Sequence, residues 1–407
     1  MKINKWTAGL AAVGLVSLAS VAQAEETTTP LLTALSSTVI SGYVDTSAVW
    51  NPGTGNANPA PYSFNAGKQD GFNLNVVGLT LEKPLDEGSW SAGYKVELLY
   101  GPDAVGYNTS ANAVNTTTTA GTPTSVDPGL DGIAGTADDI INPATSATTT
   151  TSPVLSDFGI KQAYVALRAP VGNGLDFKLG VFDTPIGYES FTGYRNPNYT
   201  RSYGYTLEPT EHTGLLASYQ ISEMFAVSAG VANTLSAGIN ARSPRAESHK
   251  TYMGSITITA PESAGALAGS ALYAGIVDGF NGNPGDDQTS YYAGATIATP
   301  VAGLRLGAAY DHVTDGPTGY AAAASVYASF QATEKMSLHA RAEYAKINHD
   351  KIGALTGTIQ YDLWQNVISR LEVRWDHSQN GAFGGTVPGS PTKKNEIMVA
   401  ANLIYKF

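Results

Sequence analysis

Three acid–histidine neighbours are the groups in this chain most able to do chemistry: Asp311-His312, His349-Asp350 and Asp376-His377. A carboxylate beside an imidazole is the minimum needed to orient a general base, and each pair falls where an alternating apolar pattern ends. No Gly-x-Ser-x-Gly or His-Glu-x-x-His pattern accompanies them, and paired Asp and His are common at solvated strand ends. A second group is acidic. Asp127-Pro128-Gly129-Leu130-Asp131-Gly132, followed by Asp138-Asp139, sets hard oxygen ligands at short spacing, as calcium requires. Its spacing departs from an EF-hand and no distal Glu closes it, so a flexible surface loop is expected. A third segment, 184–211, mixes five Tyr with Glu189, Arg195, Arg201 and Glu208. Aromatic rings among charges of both signs are an unusual content for a solvated loop.

The elements that must hold these groups are strands. Glu396 to Phe407 alternates strictly, with Ile397, Val399, Ala401, Leu403, Tyr405 and Phe407 on one face and Glu396, Asn402 and Lys406 on the other. A terminal strand closing on an aromatic residue resembles the last strand of bacterial outer-membrane barrels, and Tyr405 and Phe407 are the expected insertion signal.

Comparable stretches recur near 38–50, 71–82, 88–100, 157–168, 175–183, 212–220, 223–233 and 250–259. They continue near 267–278, 289–298, 303–312, 323–332, 335–346, 354–362, 366–377 and 396–407. The fold class expected is all-β: a transmembrane antiparallel up-and-down barrel of about 16 strands, with about 14 or about 18 as alternatives. Long connections at 51–70, 101–156, 184–211, 234–249, 279–288, 313–322 and 378–395 alternate with short turns, which puts both termini on one side. Residues 347–353 form a short external connection in this scheme. Trp50, Tyr100, Tyr310, Trp364 and Trp375 fall at strand ends, where interfacial girdles belong.

The first residues fit an export signal: Lys2 and Lys5, an apolar run from Ala8 to Val21, then the small-x-small site Ala22-Gln23-Ala24. The expected domains are a signal peptide, 1–24, and one barrel, 25–407, with 101–156 as its longest external loop. No later apolar run is long enough to span a bilayer as a helix, so a membrane reading requires a closed barrel. The chain has 22 Tyr, 44 Gly and no Cys, and only 14% of its residues are charged. Removing Lys2 and Lys5 takes its formal charge from −11 to −13, which disfavours nucleic acid as a partner.

Strand parity turns Lys95, Glu97, Lys178, Arg305 and Arg341 toward the lumen. It does the same for Glu343, Arg370, Glu372, Arg374 and Glu396, because Arg or Lys on the lipid face at mid-depth costs about 2–4 kcal/mol. By analogy with general diffusion porins, 184–211 is expected to fold inward, with Glu189, Arg195, Arg201 and Glu208 near the narrowest point.

With these residues in view, the chain resembles the OmpL-like bacterial porins, an outer-membrane β-barrel family. The likeness lies in Ser41-Gly42-Tyr43-Val44-Asp45, Ile160-Lys161-Gln162-Ala163-Tyr164-Val165, and the run Leu179 to Glu189. Glu372-Val373-Arg374-Trp375-Asp376 and Tyr405-Lys406-Phe407 extend it. The resemblance implies a passive diffusion channel for small hydrophilic solutes and ions, with no catalytic residue, no cofactor and no metal. The partners it implies are outer-membrane lipids, lipopolysaccharide and the barrel insertion machinery. A homotrimer is one assembly open to it. The rival classes are a plugged or adhesive barrel and an outer-membrane hydrolase active at its rim.

Overall fold

The computed structural model describes residues 37–407 except 54–55, 61–69, 87, 89, 108–113, 120–123, 128–132, 134–136, 138–139, 143–147, 154–157, 236–237, 244–245, 247, 282–286 and 317–318. The expected leader and most of the acidic cluster, 128–132 and 138–139, lie outside the described residues.

The strands are β1 (Val39–Trp50), β2 (Gly71–Lys83), β3 (Ser91–Tyr100), β4 (Val114–Thr119), β5 (Ser125–Asp127), β6 (Ile140–Asn142) and β7 (Thr148–Pro153). Next come β8 (Phe158–Ala169), β9 (Leu175–Asp183), β10 (Glu211–Gln220), β11 (Phe225–Ala232), β12 (Thr251–Thr259), β13 (Ala271–Phe280) and β14 (Asp287–Ala298). The last are β15 (Leu304–Gly316), β16 (Gly319–Gln331), β17 (Met336–Ile347), β18 (Asp350–Trp364), β19 (Val367–Ser378) and β20 (Asn395–Lys406). Among the described residues, 16 of them, β1–β3 and β8–β20, pair antiparallel in chain order, and β20 closes on β1. Closure gives every strand two neighbours, so no backbone edge faces lipid.

β20 illustrates the wall. Ile397, Leu403 and Tyr405 are exposed, whereas Glu396, Met398, Asn402 and Ile404 are buried. A soluble protein would reverse that order; here the apolar face meets hydrocarbon and the polar face meets the interior. Trp50, Tyr100, Tyr310, Trp364 and Trp375 are all exposed, as girdle residues must be. At the β1–β20 seam, Gly42 and Phe407 exchange two backbone hydrogen bonds of 2.8 and 2.9 Å.

Three connections differ from expectation. β15 and β16 extend to Gly316 and Gly319, so the loop expected at 313–322 is mostly strand. β17 and β18 likewise meet at Asn348-His349, where both residues have positive φ (51° and 66°), as a two-residue type I′ turn demands. The segment 101–156, expected as a long flexible loop, also contains regular structure among its described residues. A unit spanning 110–156 contains two small ladders, β4 with β7 and β5 with β6. In the first, Thr116–Thr119 pair with Thr148–Thr151, and Thr readily adopts extended structure.

Candidate functional site

Period-2 alternation brings one set of polar side chains to the inner face of β17–β19: Arg341 and Glu343, Thr356 and Thr358, then Arg370, Glu372, Arg374 and Asp376. Against this wall lies the connection between β9 and β10, residues 184–210. An irregular segment with buried backbone needs partners for its peptide groups, and the wall provides them.

Glu372 accepts from the amides of Tyr199 (2.6 Å) and Thr200 (2.9 Å) and from the hydroxyls of Thr200 and Thr358. Glu343 accepts from the Tyr203 amide (2.7 Å), at the start of the short helix α1 (Tyr203–Leu207). Arg374 donates to the Arg201 carbonyl (2.6 Å), and Arg370 donates to the carbonyls of Gly193 (3.0 Å) and Asn196 (2.6 Å). Arg341 binds most widely: the Thr200 carbonyl at 2.8 Å, Glu189 at 2.8 Å and Glu343 at 2.6 Å. Charge-assisted bonds of this kind are roughly twice as strong as neutral ones.

Of the four constriction candidates, Glu189 forms an ion pair with the wall residue Arg341; it also accepts from the Ser202 amide at 2.7 Å. Arg201 braces the segment internally, donating to the carbonyls of Ser190, Tyr199 and Phe191 at 2.8–2.9 Å. Arg195 is half-buried, its guanidinium 5.8 Å from the Tyr194 ring centre. Glu208 lies against Asp311 of β15 and close to Gly187. Gly187 has φ of 119°, and a Cβ there would stand 2.3 Å from a Glu208 oxygen, so only glycine serves. The four therefore do not form one cluster: two tie the segment down, one stacks on its own neighbour, and one faces an acid.

The other half of the interior is apolar. Ile186 and Tyr188 join Leu216, Met253, Tyr273, Val277, Tyr292 and Tyr327 in one buried cluster, with Tyr188 and Tyr327 stacked at 4.1 Å. A cavity of about 30 Å³ is bounded by Tyr107, Lys161, Asp183, Glu189, Tyr205 and Glu208.

The surroundings of the wall charges differ from a water-lined ring. Arg341, Arg370, Glu372 and Arg374 are at most 4% exposed because the segment covers them. Glu343 is covered in the same way, and Glu396 accepts from the Ala60 amide at 2.8 Å. Lys95 lies between Glu82 (3.9 Å) and Glu97 (3.8 Å), and Glu97 also accepts from Gln162. Lys178 is half-buried over Tyr164, while Arg305 is exposed at the start of β15.

Parity missed Lys161, which is buried and paired with Asp183, and Glu211, which is fully buried beside them. The register of β3 against β8 shifts between Glu97 and Leu98, so the consecutive residues Lys161 and Gln162 are both buried. A bulge of this kind leaves no mark in an alternation pattern.

The same alternation separates the acid–histidine pairs. Asp311 is buried toward Glu208, whereas His312 sits among Tyr291, Tyr310 and Tyr320. Asp376 is held by Arg374 and Tyr203, whereas His377 stacks on Trp375. Asp350 accepts from the Ser378 hydroxyl and the Asn380 amide, at the turn that contains His349. Neighbours on opposite faces of a strand cannot act on one substrate atom.

Burial, followed by the nearby Asp311 carboxylate, pushes the Glu208 carboxyl well above its ordinary value of 4.5. Glu189, Tyr205 and Tyr292 are the other titratable groups around it. Since the folded state holds this proton more tightly than the unfolded chain, its contribution is full below the ordinary value and is lost as pH rises toward the folded one. Current noise from the barrel is therefore expected to grow as pH is stepped upward, and Glu208→Gln to flatten that dependence. Bilayer recordings in a pH series check this; an unaltered dependence in the variant would refute it.

A closed barrel of 16 antiparallel strands, with an apolar exterior, a polar wall and a connection folded onto that wall, defines an outer-membrane protein of the porin type. The chain belongs to the beta-barrel porin-2, OmpL-like family, whose profile matches residues 37–407. A search of curated protein sequences finds no match. Among solved structures, the fold is similar to an anion-selective porin from Comamonas acidovorans (TM-score 0.55, 12% identity, 91% of this chain and 99% of that one). It is also similar to the outer membrane channel DcaP of Acinetobacter baumannii (TM-score 0.52, 12% identity, 91% and 97%). A third is the trimer form of in-vitro folded OmpT, an outer membrane protein of Vibrio cholerae (TM-score 0.52, 12% identity, 91% and 99%).

Proposed function

We propose that residues 1–24 are removed on export and that residues 25–407 form a passive channel for small hydrophilic solutes and ions, narrowed by residues 184–210. The observation that carries this reading is the anchoring of that segment to the inner wall through Glu189–Arg341 and the Glu372 carboxylate. A barrel with this many strands encloses more space than its own side chains fill, and an inward connection is a way to set its bore. Arg195, half-buried, keeps surface open to a solute, with Glu189, Arg201 and Glu208 shaping the segment behind it. In this reading the chain sits in lipopolysaccharide-bearing lipid with its Phe407 end recognised by the barrel insertion machinery, and a homotrimer is the favoured assembly because one structural neighbour is a trimer.

Single-channel recording of residues 25–407 in a planar bilayer under a salt gradient tests the reading. Discrete conductance steps are expected, and Glu189→Ala with Arg195→Ala should alter step size or ion preference. A plugged barrel is the second reading, favoured by Ile186 and Tyr188 packing against the inner tyrosines. A folded, heat-modifiable but silent barrel would support it.

A further inference from the structure

We infer that Lys178 is the wall residue that, beside Arg195 of the inward segment, biases the ion preference of this channel and gives small anions, inorganic or carboxylate, a point of contact. The inference rests on the channel reading above. Inward cations differ in what they have left to offer a solute. Arg341, Arg370 and Arg374 are covered by residues 184–210, with their guanidinium groups engaged by carbonyls and carboxylates of the segment and wall. Lys161 is bound to Asp183, Arg168 to Asp176 at 2.6 Å, and Lys95 stands between two carboxylates. Each of these fields is largely cancelled at its source.

Lys178 differs in three respects. On β9 it shares the inner face with Asp176, while Leu179, exposed by 59%, points to lipid. Its Nζ lies 5.0 Å from the centre of the Tyr164 ring, and among the described residues no carboxylate pairs with it as a salt bridge. A ring face attracts a cation through its quadrupole but carries no net charge, and the carboxylates that act on Lys178 from farther off, Asp183, Glu82 and Asp176, are each bound to another cation, Lys161, Lys95 and Arg168. Unlike the covered arginines, Lys178 also keeps part of its surface open. Arg305 is exposed too, but it opens β15 at the barrel mouth, where bulk electrolyte screens it. A partly exposed cation with no carboxylate bound to it raises the local concentration of anions and lowers that of cations.

The chain contains no cysteine, so K178C creates a single thiol in the full-length, otherwise unaltered barrel. In a planar bilayer under a salt gradient, K178C should lower the anion-to-cation permeability ratio by about tenfold, about threefold from lost attraction of anions and about threefold from lost repulsion of cations, for one unit charge about 6 Å from a passing ion in water. A sulfonate-bearing thiol reagent should lower it further, and an aminoethyl thiol reagent should restore it in the same channels. That restoration would separate loss of charge from misfolding. A conducting K178C channel whose reversal potential matches the unsubstituted protein and ignores both reagents would overturn the inference alone. A folded but silent unsubstituted barrel would overturn the channel reading and this inference together.

Discussion

Arg341→Ala is expected to release residues 184–210 from the wall while the barrel itself stays closed. The guanidinium reaches Glu189, Glu343 and two carbonyls, of Thr200 and Arg201, and the side chains of both carboxylates are only 1% exposed. Truncation leaves two buried acids short of a cation, and breaking a buried pair from one side typically costs about 3–5 kcal/mol. Arg374, at 3.5 Å from Glu343, offers only partial compensation. No such penalty falls on the strand ladder, because β17 keeps its backbone pairing with β16 and β18. The expected results are a larger single-channel conductance and protease cleavage within 184–210 in a barrel that still resists unfolding by detergent. Arg341→Lys should fall between the two, since a point ammonium cannot span the same acceptors. An unchanged conductance together with full protease resistance would show that the segment is held by other means.

The second large effect is expected at the seam. A Cβ on Gly42 would stand 2.5 Å from the Phe407 ring and 2.6 Å from the Gly78 carbonyl oxygen. The ring can swing, but the Gly78 oxygen belongs to the backbone of the neighbouring strand and cannot move without breaking the β1–β2 ladder. Overpacking typically costs about 1–3 kcal/mol, and here the strain falls on the contact that closes the barrel. Gly42→Val should therefore lower the temperature at which the compact band on an unheated gel converts to the unfolded band, and reduce the yield of inserted protein. Gly353→Ala is the control, since nothing lies within 4 Å of its Cβ position. Equal heat stability of the two variants would remove the claim that Gly42 is required by closure.

Much of the barrel was legible in the chain because alternation is a local property. Whether Ile397 faces lipid and Glu396 the interior depends on the pleat of one strand, and the same holds for the wall charges from Lys95 to Arg374. Sixteen strands, their faces and the exposed girdle aromatics follow from that single rule, and so does the separation of Asp311 from His312. The two-residue turn at Asn348-His349 was less legible, because extending a hairpin beyond the membrane needs only continued pairing, which polar residues also provide.

What only the tertiary structure decided is what each inward charge meets. Arg341 and Lys178 read alike in the sequence: each is a cation on an inner face. Arg341 is covered by a segment more than a hundred residues away along the chain, with contacts as remote as 152 residues, whereas Lys178 lies over the ring of Tyr164 across the neighbouring strand. Lys161 turned inward because a bulge between β3 and β8 broke the parity on which its position depended. Pairing across such separations follows from barrel closure and loop entry, which join residues that no local period connects.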